Sequence, residues 1–497
     1  MKKSNLHKWA ACGLASVALG AAAQSATPAS QDQPKATSRT DSGAVLGSEV
    51  LGSKAVPVGP EFALPQGPLK DVGDRLRDNG VSLGMTFVDM YFSNPSTGIQ
   101  PGNSANYGNM VFDLGLDLGK IAGLRGTEIN LTQIVNRPSR NTDTYLFKTG
   151  SGFTPYPVIT TATDLANFTI RQRAMDDRLK LEFGRMNLTQ EYMVGNMCSG
   201  CIMSTQATVL NQPGLTKSVW GGSARYSLDK DRTVGFAMLQ DNSDNWQNTN
   251  GWDWGRGKTD GYIAMMNYTQ RKGFEDSAYP YKLEAGVYHN SARYDDPLYN
   301  TDGSSKVQNS SGTPLEHKGR SGLYAQGRKV YWTRDGDRPG VPENLAAYSG
   351  FAYTAGSAQE YPFEAYAGSE WSGFSKSNPL AMVGFNVRYL RLGERRALYE
   401  QQTRFGYTAA MNAMTGGAVA VVDEQVPRNM FLFDVHGRVG LMPGVFLEAS
   451  VQYLKNPNSL IPATYQRSRN GYMFSLMLVA DFGVLSGLSR MPGDKIF

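Results

Sequence analysis

Charged and amide side chains recur two residues apart at many points of this chain. Glu128, Asn130 and Thr132 share one face of an extended segment, Arg171 and Arg173 a face of the next, and Lys180 and Glu182 follow. Farther on, Arg328, Glu364, Glu370, Arg388, Asp434, Arg438, Glu448 and Gln452 also sit between apolar neighbours. Side chains of a strand alternate between its two faces, so this spacing gathers the polar groups on one side. Acids and bases mixed around a wet passage attract ions weakly. They give many hydrogen-bond partners to a neutral polyol, whose hydroxyls both donate and accept. The blander reading is that the charges pair across the passage and hold it open.

Aromatic and sulfur groups add three further candidates. Trp246, Trp252 and Trp254 crowd one polar stretch among Asn242, Asp244, Asn245, Gln247, Asn248, Asn250 and Asp253. An indole face packs on the C–H face of a sugar ring while amides take its hydroxyls; the alternative is a place in an interfacial girdle. Tyr91, Tyr226, Tyr268, Tyr324 and Tyr453 read as girdle. Cys198 and Cys201 stand in Cys-Ser-Gly-Cys, a spacing shared by redox pairs and half-sites for zinc. No βαβ pattern and no second Cys or His pair accompanies them, so a short disulfide bracing a loop is expected. His289-Asn290-Ser291 resembles the catalytic His-x-Ser of outer-membrane phospholipases, although three residues arise easily by chance. P-loop, G-x-S-x-G and H-E-x-x-H patterns are absent. The chain is not expected to be an enzyme, and no cofactor or metal is expected.

The elements that must position these groups are strands. About sixteen segments of roughly ten residues alternate apolar and polar positions, the length of a tilted strand crossing a bilayer. Met110, Phe112, Leu114 and Leu116 set the pattern early. Tyr472, Phe474, Leu476, Leu478, Ala480 and Phe482 close it, with Val81–Ser93 as the pairing strand. Short turns (120–123, 175–177, 229–231, 375–379, 441–444) alternate with long polar connections (136–164, 187–217, 241–259, 290–320, 392–427). That is the plan of an outer-membrane barrel. The 55 glycines, about 11% against a usual 7%, and the 25 tyrosines suit a large all-β chain with many turns.

Ahead of the strands, Lys2, Lys3 and Lys8 precede a small apolar run and Ala21-Ala22-Ala23, so residues 1–23 read as an export signal that carries Cys12 away. Its removal takes the formal charge from +5 to +2, a balance that argues against a nucleic-acid partner. Residues 24–66 read as an Ala/Pro/Ser-rich linker, and 67–80 as an amphipathic periplasmic helix with Leu69, Val72 and Leu76 on one face. The barrel is assigned to 81–482 and a C-terminal tail to 483–497.

Several stretches in this order resemble the carbohydrate-selective porins of the OprB type. They are LKDVGDRLRDNGVSLGMTF, FDLGLDLGKIAGLRGTEINLTQ, RLKLEFGRMNLTQEY, GLYAQGRKVYW and FLEASVQYLKNPN, spread from about Gly67 to Phe482. The resemblance implies a sixteen-stranded barrel in the outer membrane of a Gram-negative bacterium, passing mono- and small oligosaccharides by facilitated diffusion. It implies that the connection 186–217 narrows the pore, with Glu128, Arg171, Arg173, Lys180, Glu182 and Arg185 as lumen or eyelet residues. Asn130, Trp252 and Trp254 join them as candidate lining. Arg185 has the parity of Leu181 and Phe183, so an inward placement needs a bulge or a position above the membrane. Departures are the long N-terminal linker and the tight Cys-x-x-Cys. Expected partners are carbohydrates and outer-membrane lipids, with the chain a monomer or a trimer. Competing functions are a less selective porin for other polar solutes or organic acids, an outer-membrane lipolytic enzyme, and a structural envelope protein.

Overall fold

The computed structural model describes residues 67–138, 149, 163–186, 197–201, 218–241, 251–255, 259–274, 276–334, 342–378, 380–442, 444–457 and 467–488. The expected signal segment, the linker, Trp246 and the last nine residues lie outside them. Helix α1 (Lys70–Asp78) leads into β1 (Val81–Asn94) and β2 (Asn103–Asp117), and α2 (Leu118–Ala122) turns the chain into β3 (Thr127–Pro138). Next come β4 (Thr163–Ala174), β5 (Leu179–Met186), β6 (Val219–Ser227), β7 (Arg232–Asp241) and β8 (Gly261–Lys272). A long hairpin follows, β9 (Tyr281–Asn300) and β10 (Pro314–Thr333), then β11 (Asn344–Thr354), β12 (Phe363–Ser372) and β13 (Met382–Arg391). Helix α3 (Glu394–Met414) precedes β14 (Asn429–Met442), β15 (Val445–Lys455), β16 (Gly471–Asp481) and α4 (Phe482–Ser486).

Every strand pairs antiparallel with its neighbours in the chain, and β16 returns to β1 to close a sixteen-stranded barrel. Closure sets Thr86 opposite Asp481 and Ser93 opposite Phe474. Parity then decides which side of the wall each residue meets. In β14, Met430, Leu432, Asp434, His436 and Arg438 are buried inward, while Phe433, Val435 and Val439 are exposed outward. Phe183 is 65% and Val287 55% exposed on that outer surface, as are Met266, Phe385, Val451 and Tyr472 to comparable degrees. An apolar belt of this extent needs lipid rather than water. No helix among the described residues is long and apolar enough to cross a membrane; the strands, each paired with two neighbours around the closed ring, make the crossing. Among the tyrosines read as girdle, Tyr324 differs: it is buried inward and its hydroxyl donates to Glu284.

Two connections differ from the sequence reading. The supposed long loop 290–320 is mostly hairpin, because β9 and β10 each run for 20 residues and stay paired up to Asn300 and Pro314. Bulges between Pro314 and Glu316 and between Lys318 and Arg320 break its alternation, which hid the strands from a period-two reading. The connection 392–427 contains α3. Its apolar residues do not follow one helical stripe, since the helix buries Arg396, Glu400, Arg404 and Thr408.

Near the short-turn end, α1 also docks on an unexpected face. Leu69 and Val72 are exposed, whereas Gly73 is the buried residue of the helix. A Cβ at Gly73 would come within 2.4 Å of the Gly487 carbonyl, so only glycine lets α1 lie against the segment after α4. Leu69 N donates to Ser486 O, Arg77 Nη1 to Leu488 O and Lys120 Nζ to Arg77 O, tying the segments before β1 and after β16 to the same turn. The start of the expected tail is therefore packed helix. Replacing Gly73 with Leu should detach α1, seen as faster proteolysis around 67–80, while the barrel keeps its heat-modifiable gel migration. Loss of that migration would mean that the helix is needed for the barrel itself.

Candidate functional site

Residues 197–201, from the connection between β5 and β6, lie against side chains of β10, β11, β12 and β14. Those strands are on the far side of the ring from β5, so these five residues sit on the inner wall opposite the strands they connect. They form a hook. Cys198 and Cys201 are joined by a disulfide with Cα atoms 5.6 Å apart. Inside the hook, the amides of Ser199 and Gly200 donate to Glu370 Oε1 at 2.7 and 3.1 Å, and the Ser199 hydroxyl donates to Oε2. Arg328 Nη1 completes the carboxylate at 2.5 Å and also donates to Met197 O at 3.1 Å. Tyr366 accepts from Met197 N through its hydroxyl oxygen, and Arg438 donates to Ser199 O. Glu370 is 0% exposed, a burial that an ionised carboxylate tolerates only with such complete pairing.

The disulfide rests on the ring of His436, with Cys198 Sγ 3.7 Å from Nε2 and Cys201 Sγ 3.9 Å from Nδ1. The same nitrogens face Glu370 at 3.4 Å and Asp434 at 3.1 Å. With sulfur bonded to sulfur neither cysteine is a thiolate, so the zinc half-site gives way to the brace. Arg438–Glu448 and Arg388–Glu364 extend this wall, with all four side chains at most 2% exposed. Each of the three arginines here is paired with one buried carboxylate, and His436 lies between Glu370 and Asp434.

The opposite wall carries the residues singled out on β3, β4 and β5. Arg173 Nη2 meets Glu128 Oε1 at 2.5 Å, and Arg171 reaches Glu182 at 3.1 Å and Glu128 at 4.0 Å. The Thr169 hydroxyl donates to Glu182, and Asn130, also buried, faces Thr169 across the ladder. The two carboxylates are nearly buried, while the arginines stay about a quarter exposed and Lys180 is more open still. These five charged residues share one face of the wall, as their parity in the sequence implies. Parity could not tell that the acids lie beneath the bases.

Three expected lining residues are elsewhere. Arg185 lies on the outward row: Nε donates to Gly251 O at 3.1 Å, Nη2 to Ser218 O at 2.6 Å, and the guanidinium lies 5.7 Å from the Trp220 ring. Its parity with Phe183 already pointed there. Trp254 stacks on Phe168 at 5.6 Å and Trp252 on Trp254 at 6.1 Å, with Trp220 set edge-on at 5.9 Å. Phe168 and Trp220 face outward, so Trp252 and Trp254 form an external aromatic strap rather than a sugar platform in the pore. Asp164 fixes the strap by accepting from Gly251 N at 2.7 Å. The His-x-Ser reading also dissolves. His289 Nδ1 is 2.9 Å from Ser321 Oγ, and the Ser291 hydroxyl oxygen accepts from Tyr262 N.

Sequence reasoning missed the covering at the long-connection end. Tyr361, Leu390, Leu392, Ala397, Val426, Met430, Leu432, Leu454 and Met473 form one buried apolar cluster, so the connection carrying α3 folds against the inner wall. Asp296 holds it to the hairpin, taking His317 Nε2 at 2.8 Å and the Arg395 guanidinium.

A closed barrel with an apolar exterior, a charged lumen and a loop hooked onto the far inner wall is an outer-membrane porin. The family model described as "Carbohydrate-selective porin, OprB family" matches residues 102–482. The chain belongs to that family, which is one of porins and not of enzymes, and it is a carbohydrate-selective porin of the Gram-negative outer membrane. Among solved structures it is similar to the high-pH structure of Pseudomonas putida OprB, with 16% identity over 82% of this chain and 96% of that one, TM-score 0.67. The low-pH structure of that protein follows at 12% identity, 82% and 95% coverage and TM-score 0.47. A triple mutant of the Rhodopseudomonas blastica porin stands at 7%, 81% and 100%, TM-score 0.40. At these identities the likeness shows the fold alone. No curated protein matches the sequence.

Removing Glu370 takes away the acceptor of two loop amides and a hydroxyl at once. Glu370→Ala should free the hook, raising single-channel conductance and current noise; an unchanged trace would deny that this contact shapes the passage. Arg438→Ala removes the guanidinium paired with the buried Glu448 carboxylate and should cost about 3–5 kcal/mol, read as a lower urea midpoint for loss of the heat-modifiable band.

Proposed function

We propose that monosaccharides and small oligosaccharides diffuse passively through this lumen into the periplasm, guided between the hook and the wall of Glu128, Arg171, Arg173, Lys180 and Glu182. The observation that carries this reading is the division of labour between the two walls. One is consumed in holding the hook, and the other keeps guanidinium and ammonium donors within reach of a passing solute. A sugar hydroxyl exchanges hydration water for these donors at little cost, and each contact is weak enough to release it. The solute needs no energy source, only a gradient. Each barrel carries its own passage in this reading, whether the chain works as a monomer or as a trimer.

Liposomes carrying the purified protein should swell faster in iso-osmotic glucose or maltose than in a salt whose ions are of similar size. Equal rates would remove the sugar preference and leave a general pore. Arg171→Ala, which uncovers Glu182 and Glu128, should lower the sugar rate several-fold more than it lowers conductance in potassium chloride, compared in the same preparation.

A further inference from the structure

The hook brings together metal ligands that its disulfide masks. Sγ of Cys198, Sγ of Cys201 and a ring nitrogen of His436 lie within 4.8 Å of one another, and all three residues are buried. The sulfurs come from the connection between β5 and β6 and the imidazole from β14, so the group forms only where the hook is seated on the wall. Two glycines make room for the ring. Gly384 stands opposite His436 in register, and a Cβ there would come within 2.3 Å of Nε2. On the hook itself, a Cβ at Gly200 would come within 2.5 Å of Cδ2.

The surroundings prepare the imidazole as a ligand. Nδ1 lies 3.1 Å from Asp434 Oδ2, so a neutral ring donates there and keeps its lone pair on Nε2. A carboxylate behind the ring is the common partner of a metal-bound histidine, because it fixes the tautomer and raises the basicity of the ligand nitrogen. Nε2 is 3.7 Å from Cys198 Sγ and 3.4 Å from Glu370 Oε1. In a tetrahedral zinc site with Zn–S of about 2.3 Å and Zn–N or Zn–O of about 2.0 Å, the N–S edge is about 3.5 Å and the N–O edge about 3.3 Å. Both spacings match, so the main change needed is that the two sulfurs part. Two residues between the cysteines is also a spacing that structural zinc sites use.

We propose that the hook, once its disulfide is reduced, binds a zinc ion through Cys198, Cys201 and His436, with Glu370 bordering the fourth position, and so stays latched to the wall. The inference goes beyond sugar passage and does not depend on which solute passes. A small-molecule thiol is the reductant. Two RSH become RSSR while the bridge becomes two thiols, and zinc then binds both sulfurs as thiolates with release of their protons to water. The metal closes the same short ring that the disulfide closed, so the Ser199 and Gly200 amides stay side by side before Glu370. Reduced and without metal, the hook loses that ring, has more conformations to give up on the wall, and loosens.

The test takes the full-length protein, reduced with dithiothreitol and separated from it by gel filtration without air, and adds zinc or cobalt(II) ions. The reduced wild type should take up cobalt with thiolate-to-metal absorption and the visible bands of a four-coordinate site, and zinc should displace it; the oxidised protein should show no such absorption. Cys198→Ser should abolish the absorption. Asp434→Asn, which removes the carboxylate behind the ring, should weaken zinc binding about 10–100-fold. Should that variant lack the heat-modifiable band, Cys198→Ser, which leaves the wall intact, carries the test. In planar bilayers, current noise should rise in the reduced, metal-free protein and return to the oxidised level when zinc is added. Cysteines that resist dithiothreitol in the folded barrel, a reduced form that takes up no metal, or thiolate absorption that survives Cys198→Ser each overturn the site. Noise that zinc does not lower in the reduced protein overturns the latch.

Discussion

Everything specific about this pore depends on one carboxylate. Glu370 lies out of contact with water on the inner wall and is surrounded by donors: two backbone amides and a hydroxyl from the hook, a guanidinium from β10 and an imidazole from β14. A buried anion is costly by several kcal/mol when partners are lacking and holds firmly when they are complete. The hook supplies three of those partners, so leaving the wall would strip the buried charge of more than half of them. The Cys198–Cys201 bridge keeps the two amides side by side, which spares the hook part of the ordering entropy that binding would otherwise cost. A short ring and a single acid thus turn a connection between strands into a fixed element of the lumen.

Around that contact the two walls differ in how they treat charge. Where the hook covers the wall, Arg328, Arg388 and Arg438 are each met by one carboxylate, as low dielectric demands. On the opposite wall the ion pairs of Arg171 and Arg173 with Glu128 and Glu182 stay partly exposed, and solvent screens them. The apolar covering by α3 and the stretch before β14 belongs to the same scheme, since it seals inner positions near the long-connection end. Among the described residues, the side of the lumen away from the hook keeps Arg171 and Arg173 about a quarter exposed.

Much of this was legible from spacing. A strand of period two cannot hide which residues share a face, so Glu128, Arg171, Arg173, Lys180, Glu182, Arg328, Glu370 and Arg438 could all be placed inward. The closing pair of strands followed from the same periodicity at Tyr472–Ala480 and Val81–Ser93. Bulges defeat that reading, and the β9–β10 hairpin was taken for a loop because two of them shift its phase. Helix α3 was missed for a related reason: it buries ion-paired and polar side chains such as Arg404 and Glu400 instead of an apolar stripe. For α1 the apolar stripe was real, but the contact is made by Gly73, through the side chain it lacks.

Arg185 and the tryptophans show where residue type misleads and geometry corrects. An arginine beside a loop that narrows a pore invites an inward role, yet its parity is that of Phe183 and a strand does not rotate one side chain for convenience. Its guanidinium instead serves two carbonyls, Gly251 O and Ser218 O, that would otherwise face a largely apolar surface without donors. That is why the strap of Trp252 and Trp254 can lie on the outer wall at all: its backbone is satisfied from below while its rings cover Phe168 and Trp220. An apolar exterior favours rings, and it accepts backbone only where each polar group has been given a partner. The same rule that fixes Glu370 inside the barrel therefore fixes the tryptophans outside it.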